Sequence, residues 1–107
     1  MDQSNYKASL SNLAKRLGFL SFPEERTGLD VYLPLLEKIR LDGAVIVLKL
    51  DGERIQVEDN GPYTAVISGQ MLKGEYFRID AYSLEDALDY VIVNYACHQW
   101  GIDRKNL

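Results

Sequence analysis

Apolar residues in the first part of the chain recur with the period of a helix. Tyr6, Leu10, Leu13 and Leu17 are separated by four, three and four positions, which sets them on one stripe, with Lys7, Asn12, Lys15 and Arg16 turned away. Lys15 and Arg16 fall in the last turn, where the helix dipole favours cations, and Gly18 supplies a left-handed stop. Residues 19–28 read as a loop whose Phe19, Leu20 and Phe22, ahead of Pro23, are expected to plug the edge of the core. A second helix is predicted from about Asp30 to Leu41. It contains Pro34, which a helix accepts only in its first turn, where a missing N–H costs no helical hydrogen bond. Asp42 and Gly43 end it.

From Ala44 the pattern changes. Ala44 to Leu50 is aliphatic and rich in β-branched residues, and it runs into Asp51-Gly52, a favoured two-residue hairpin turn. That turn predicts a register in which Leu50 faces Glu53, Leu48 faces Ile55 and Ile46 faces Val57, with Arg54 and Gln56 on the opposite face. Asp59, Asn60, Gly61 and Pro62 mark the next turn. Tyr63 to Ser68 and Glu75 to Asp80 follow as strands, joined by a loop containing Gly69 and Gly74. In the last strand Phe77 and Ile79 share one face, and Tyr76 and Arg78 the other. Ser83 followed three residues later by Asp86 resembles a capping box with the shorter acid. The helix it opens carries Leu84, Leu88, Val91, Ile92 and Tyr95 as a stripe able to lie across a sheet, and Gly101 closes it. The expectation is one α+β domain over residues 1–107: two N-terminal helices, a four-stranded antiparallel meander, and a long C-terminal helix packed on the sheet.

Size and composition agree with that reading. A chain of 107 residues with 47% hydrophobic and 26% charged positions is ordinary for a globular domain, which at this length buries about 65% of the surface its unfolded form exposes. Cys97 is the only cysteine, so no internal disulfide can form, and a reducing compartment fits best. Residues 1–6 lack the basic-then-apolar order of a signal peptide. The aliphatic run from Ala44 to Leu48 is far too short to span a bilayer, so a cytosolic location without membrane contact is expected.

Charge is distributed unevenly. Residues 51–89 hold nine acids (Asp51, Glu53, Glu58, Asp59, Glu75, Asp80, Glu85, Asp86, Asp89) against Arg54, Lys73 and Arg78, a net of −6, whereas the rest of the chain is +2. Such a section repels phosphate backbones and attracts basic partners; the alternative is a solvated surface that only aids solubility.

No catalytic constellation emerges. Cys97 and His98 are neighbours, but consecutive helical side chains diverge by about 100°, so they cannot share a hydrogen bond within one helix. Ser11, Ser21, Ser68 and Ser83 have only His98 as an available base. Glu85 and Asp89, four apart with Asp86 beside them, have spacing that can hold a metal or raise a pKa, but such a run is more often a solvated helix face. Gly69 to Gly74 lacks the Gly-Lys-Ser/Thr ending of a phosphate-binding loop. Neither an enzyme nor a cofactor or metal site is expected.

The aromatic residues speak to binding. Tyr76, Tyr82, Tyr90 and Trp100 include candidates for exposure, and rings flanked by acids make an interface able to dock a basic partner. Together with the acidic balance and the Asp-Gly turn, the stretch Phe77-Arg78-Ile79-Asp80 and then Ser83-Leu84-Glu85-Asp86-Ala87-Leu88 resembles small bacterial immunity proteins of contact-dependent growth inhibition and related polymorphic-toxin systems. The resemblance implies a cytosolic antidote that binds a basic toxin domain, often a nuclease, and occludes its active site or substrate path. The contact residues expected from the residue pattern are Glu75, Tyr76, Arg78, Asp80, Tyr82, Glu85, Asp86 and Asp89. Two further readings stand beside it. One is a phage or mobile-element regulatory protein or self-associating accessory subunit, with a homodimer left open. The other is a nucleic-acid binder using Lys7, Lys15, Arg16, Lys38 and Arg40, which would bind in a salt-sensitive way.

Overall fold

A computed structural model describes residues 5–18, 29–54 and 60–107. Helix α1 spans Asn5–Arg16, and its stripe is the expected one: Tyr6, Leu10 and Leu13 are buried, joined by Ala14, and Leu17 packs at the edge. The predicted plug formed by Phe19, Leu20 and Phe22 lies outside the described residues.

The second helix begins differently from the expectation. Leu29–Tyr32 forms a 3₁₀ turn, and the α-helix proper, α2, runs over Leu33–Leu41 with Pro34 in its first turn. The proline explains the change of geometry. It has no N–H to donate to the carbonyl of Asp30, and its ring would crowd that carbonyl if α geometry extended further back. Tyr32, Leu35 and Ile39 are the buried residues of this stretch.

Strands β1 (Val45–Leu50), β2 (Tyr63–Ser68) and β3 (Phe77–Ala81) form an antiparallel sheet in the order β1-β2-β3. The expected four-stranded meander is therefore corrected to three strands among the described residues. Leu50 stands opposite Tyr63, Leu48 opposite Ala65 and Ile46 opposite Ile67, so the register set by a tight hairpin, with Leu50 facing Glu53, does not form. Ile55 and Val57, the other members of that expected register, lie outside the described residues. A local turn does occur: the Arg54 amide donates to the Asp51 carbonyl at 3.2 Å and the Glu53 amide to Asp51 Oδ1 at 3.0 Å. The pairing of β1 with β2 extends to Pro62, whose carbonyl accepts the Asp51 amide at 2.9 Å. Burial decides this competition. Tyr63–Ser68 buries Ala65 and Ile67 completely, as a central strand requires, whereas turn chemistry acts only over a few residues. Strand β3 leaves Glu75 and Tyr76 just outside its start, and Phe77 and Ile79 face the core as expected.

Helix α3 (Leu84–Gln99) is capped by Ser83, whose Oγ accepts the Asp86 amide at 3.0 Å. It lies between the sheet and α1, contacting β2 and β3 on one side and α1 on the other. That position, with Tyr32 of the 3₁₀ turn reaching Asp89, explains why Ala87, Asp89, Val93 and Ala96 are buried along with the predicted stripe of Leu88, Val91, Ile92 and Tyr95. The layers are sheet, α3, α1. Asp42, at the end of α2, ties that helix to the far end of α3: its Oδ2 accepts the Tyr95 hydroxyl at 2.8 Å and the Trp100 indole N–H at 2.7 Å. Residues after Gly101 return to α1, where the Arg104 guanidinium lies 4.1 Å from the Tyr6 ring centroid. No helix among the described residues is long and apolar enough to cross a membrane.

Candidate protein interface

Because α3 covers only one face of the sheet, the alternation of the strands determines what the other face shows. On the covered side are Ile46 and Leu48 of β1, Ala65 and Ile67 of β2, and Phe77, Ile79 and Ala81 of β3. The Phe77 ring meets Tyr95 edge-on at 6.4 Å. On the opposite side the register aligns Val45 with Ser68, Val47 with Val66 and Arg78, and Lys49 with Thr64 and Asp80. Val45 and Val47 remain 53% and 50% exposed there, so aliphatic surface stands open to solvent.

Tyr76 and Tyr82 flank β3 with the same parity as Arg78 and Asp80 and are 61% and 63% exposed. Six residues apart in extended chain, they stand about 20 Å from one another. The other two rings considered from sequence are engaged internally. Tyr90 packs against Tyr6 with the rings tilted at 58° and centroids 5.0 Å apart, and Trp100 donates to Asp42 while Lys38 sits 5.1 Å from its ring centroid.

The acids expected to form a single patch fall into separate environments. Glu75 is exposed at the start of β3, and Glu85 and Asp86 are half-exposed at the start of α3, beyond its other end. Asp80 lies between them but is drawn into ion pairs, with Arg54 at 3.1 Å and Arg78 at 3.3 Å, and accepts the Thr64 hydroxyl at 2.6 Å. Arg54 also approaches Asp51 at 3.5 Å, and Lys49 approaches the same carboxylate at 3.6 Å. The centre of the face thus carries Lys49, Arg54 and Arg78 against Asp51 and Asp80, so its local balance is slightly basic. Asp89 is not on the surface at all: it is 1% exposed, and its Oδ1 accepts the Tyr32 hydroxyl at 2.8 Å.

Partial burial pushes the Asp80 carboxyl up, but the Thr64 hydroxyl and the two arginines more than reverse it and hold the group below its usual range. A carboxylate with a depressed folded-state pKa stabilises the fold above the unfolded value, about 3.9, and that contribution is lost as pH falls through the folded value. Asp80→Asn is accordingly expected to cost about 1 kcal/mol at pH 7, with the difference from wild type shrinking toward pH 3 in urea titrations at both pH values.

Sequence reasoning passed over Val45, Val47 and Val66. The signal was present in the unbroken apolar run Val45 to Leu48, because a strand that is apolar at consecutive positions carries aliphatic groups on both faces. The Cys97 thiol is half-buried, and burial pushes its pKa up, whereas the His98 ring packs edge-on against Phe77 at 5.6 Å. The two side chains thus have different surroundings. Among the described residues no group of three or more His, Cys, Asp or Glu side chains is placed to hold a metal ion. Of the basic residues considered for nucleic-acid binding, Arg40 pairs with Glu37 and Lys38 covers Trp100, while Lys15 and Arg16 are exposed at the end of α1.

Compared with protein-family models, curated proteins and solved structures, the chain matches none, so the significance of this surface rests on its residues and geometry.

Proposed function

We propose that the protein is a non-catalytic binding protein that docks a partner across the open face of its sheet, acting as the immunity partner of a toxin domain by occlusion. The observation that carries this reading is the coexistence, on the face of the sheet turned away from α3, of exposed Val45 and Val47 with two exposed tyrosines at the ends of β3. Interfaces of this kind take most of their affinity from a few aromatic anchors seated over an apolar centre, with charge at the rim setting association rate and orientation. Tyr76 and Tyr82 are the anchors here. Glu75, Glu85 and Asp86 are the rim groups that draw a basic toxin surface. Asp80 and Arg78, already paired with each other, contribute shape and register more than net attraction. Asp89 supports the scaffold from inside.

A toxin gene is expected directly upstream of the one that encodes this chain, and the test is binding to the C-terminal domain of that gene's product, measured by calorimetry and by surface-based kinetics. A neighbouring gene of another kind would remove the toxin from the reading. Tyr76→Ala and Tyr82→Ala are each expected to weaken affinity by about 10–30-fold, the range of an interface hot spot. Glu75→Lys combined with Glu85→Lys is expected to slow association, most clearly at low salt. Unchanged affinity in both tyrosine variants would remove this face from the interaction.

A further inference from the structure

Six of the eight large apolar side chains exposed on the described surface belong to the 29–50 stretch: Leu29, Leu33, Leu41, Val45, Val47 and Leu50. Between α2 and the start of β1 lies an open groove of about 680 Å³, lined by Leu33, Pro34, Leu36, Ala44 and Ile46 together with the charged Asp30, Glu37 and Arg40. Leu50, at the other end of the same strand and on the same face as Ala44 and Ile46, projects 64% exposed. An apolar knob and a mostly apolar hole thus sit at the two ends of β1.

The strand between them is an edge of the three-stranded sheet, paired with β2 on one side only among the described residues. Within its six residues, Val-Ile-Val-Leu-Lys-Leu, the strand carries no proline and no charge other than Lys49, two of the devices that commonly protect an edge. Its electrostatics point the same way. Residues 29–50 carry three acids (Asp30, Glu37, Asp42) and three bases (Lys38, Arg40, Lys49), a net of zero within a chain of net charge −4. A strongly charged partner finds no field to follow here, while a second copy meets no repulsion.

We propose that β1 pairs antiparallel with β1 of a second copy about a two-fold axis at Val47. In antiparallel pairing, opposite residues share a face, so this register sets Val47 against Val47 and Ile46 against Leu48. Ala44 then faces Leu50, so each copy's Leu50 enters the groove of the other at Ala44 and Ile46. Lys49 falls opposite Val45, so the only charges on the two strands do not confront each other. The contact is self-complementary, as a two-fold interface requires, and it joins the two sheets into one of six strands. Val47 also lies on the face proposed to dock a partner, but the pairing uses the outer edge of β1 and is read on the isolated chain, so its failure and the failure of the partner-binding reading are distinguishable.

Sedimentation equilibrium of the isolated full chain, with no partner present, tests the pairing. The expected mass is twice the 12.2 kDa of the chain. Val47→Lys, at a half-exposed position that leaves the core untouched, sets two ammonium groups against each other at the axis and is expected to raise the dimer dissociation constant at least about 30-fold. Circular dichroism establishes that the variant is folded. In a Cys97→Ser background, Val47→Cys is expected to form an intermolecular disulfide under mild oxidation, and Tyr76→Cys is not. A wild-type chain that stays at single mass, a dimer indifferent to Val47→Lys, or cross-linking as efficient at Tyr76 as at Val47 would each overturn the proposal.

Discussion

Gly61→Ala is expected to destabilise the protein by at least about 3 kcal/mol, because steric overpacking and a disfavoured backbone conformation act together at this residue. A Cβ at this position would lie 2.0 Å from the carbonyl oxygen of Ala81 and 2.7 Å from the Tyr82 amide nitrogen. Neither is the end of a flexible side chain that could swing aside. Both belong to the chain where β3 hands over to α3. The backbone at Gly61 also has φ +114°, a region that residues with a Cβ rarely adopt. The approach is close because residues 60–62 lead into β2 beside the end of β3, where Tyr63 pairs with Ala81. Gly74→Ala provides the comparison. Its φ is +92° and no atom lies within 4 Å of a Cβ built there, so only the conformational cost, about 1 kcal/mol, is expected. Urea denaturation of both variants measures the two contributions separately. Equal losses would show that the proximity of Ala81 carries no energy.

The second large effect is expected at Asp89. This carboxylate is buried on α3 and accepts the Tyr32 hydroxyl at 2.8 Å across to the 3₁₀ turn ahead of α2. Asp89→Ala removes the acceptor, leaves the Tyr32 hydroxyl to find another partner away from water, and opens a small void. The combined loss is about 2–4 kcal/mol. Asp89→Asn keeps an acceptor and nearly the same volume and is expected to lose less. Thermal and chemical unfolding of the two variants should therefore rank alanine well below asparagine. With the folded fraction held above nine-tenths by a stabilising co-solvent, partner affinity is expected to be the same as wild type. A selective loss of affinity in a fully folded Asp89 variant would instead place this residue in contact with the partner.

Asp89 also illustrates where the sequence is an incomplete guide. Its position four residues after Glu85 reads as the polar back of a helix that lies on a sheet, which is how an amphipathic helix with one buried stripe behaves. The stripe itself was legible, as were the stripe of α1, the Ser83 cap and the strands from Tyr63 and Phe77, because each depends on local periodicity or on one side chain bonding its own backbone. What local pattern does not carry is that α1 and the 3₁₀ turn ahead of α2 pack around α3 as well as the sheet, so Ala87, Val93 and Ala96 are buried beside the stripe and Asp89 is buried against Tyr32. The misread hairpin has the same origin. Asp51-Gly52 is a turn by its chemistry, and a turn forms there, but the choice of β1's neighbour is made by which segment can bury a face on α3. The candidate interface divides along the same line. Alternation within β3 correctly sets Tyr76 and Arg78 away from the core. The ion pairs that take Asp80 out of the acidic patch involve Arg54, twenty-six positions earlier in the chain, and no spacing rule connects the two.

The sandwiching of α3 has a consequence for how the protein comes into being. On the ribosome the chain emerges from its N-terminal side, and α1, α2 and the three strands are all made before residues 84–99 appear. Until then α1 has no surface to close on and the sheet's apolar face has no cover, so the nascent chain carries its aliphatic segments, β1 foremost, unburied in the cell's most crowded workspace. Productive folding waits for the last fifth of these residues. The interval before it arrives is when chaperones that hold exposed strands have something to grip.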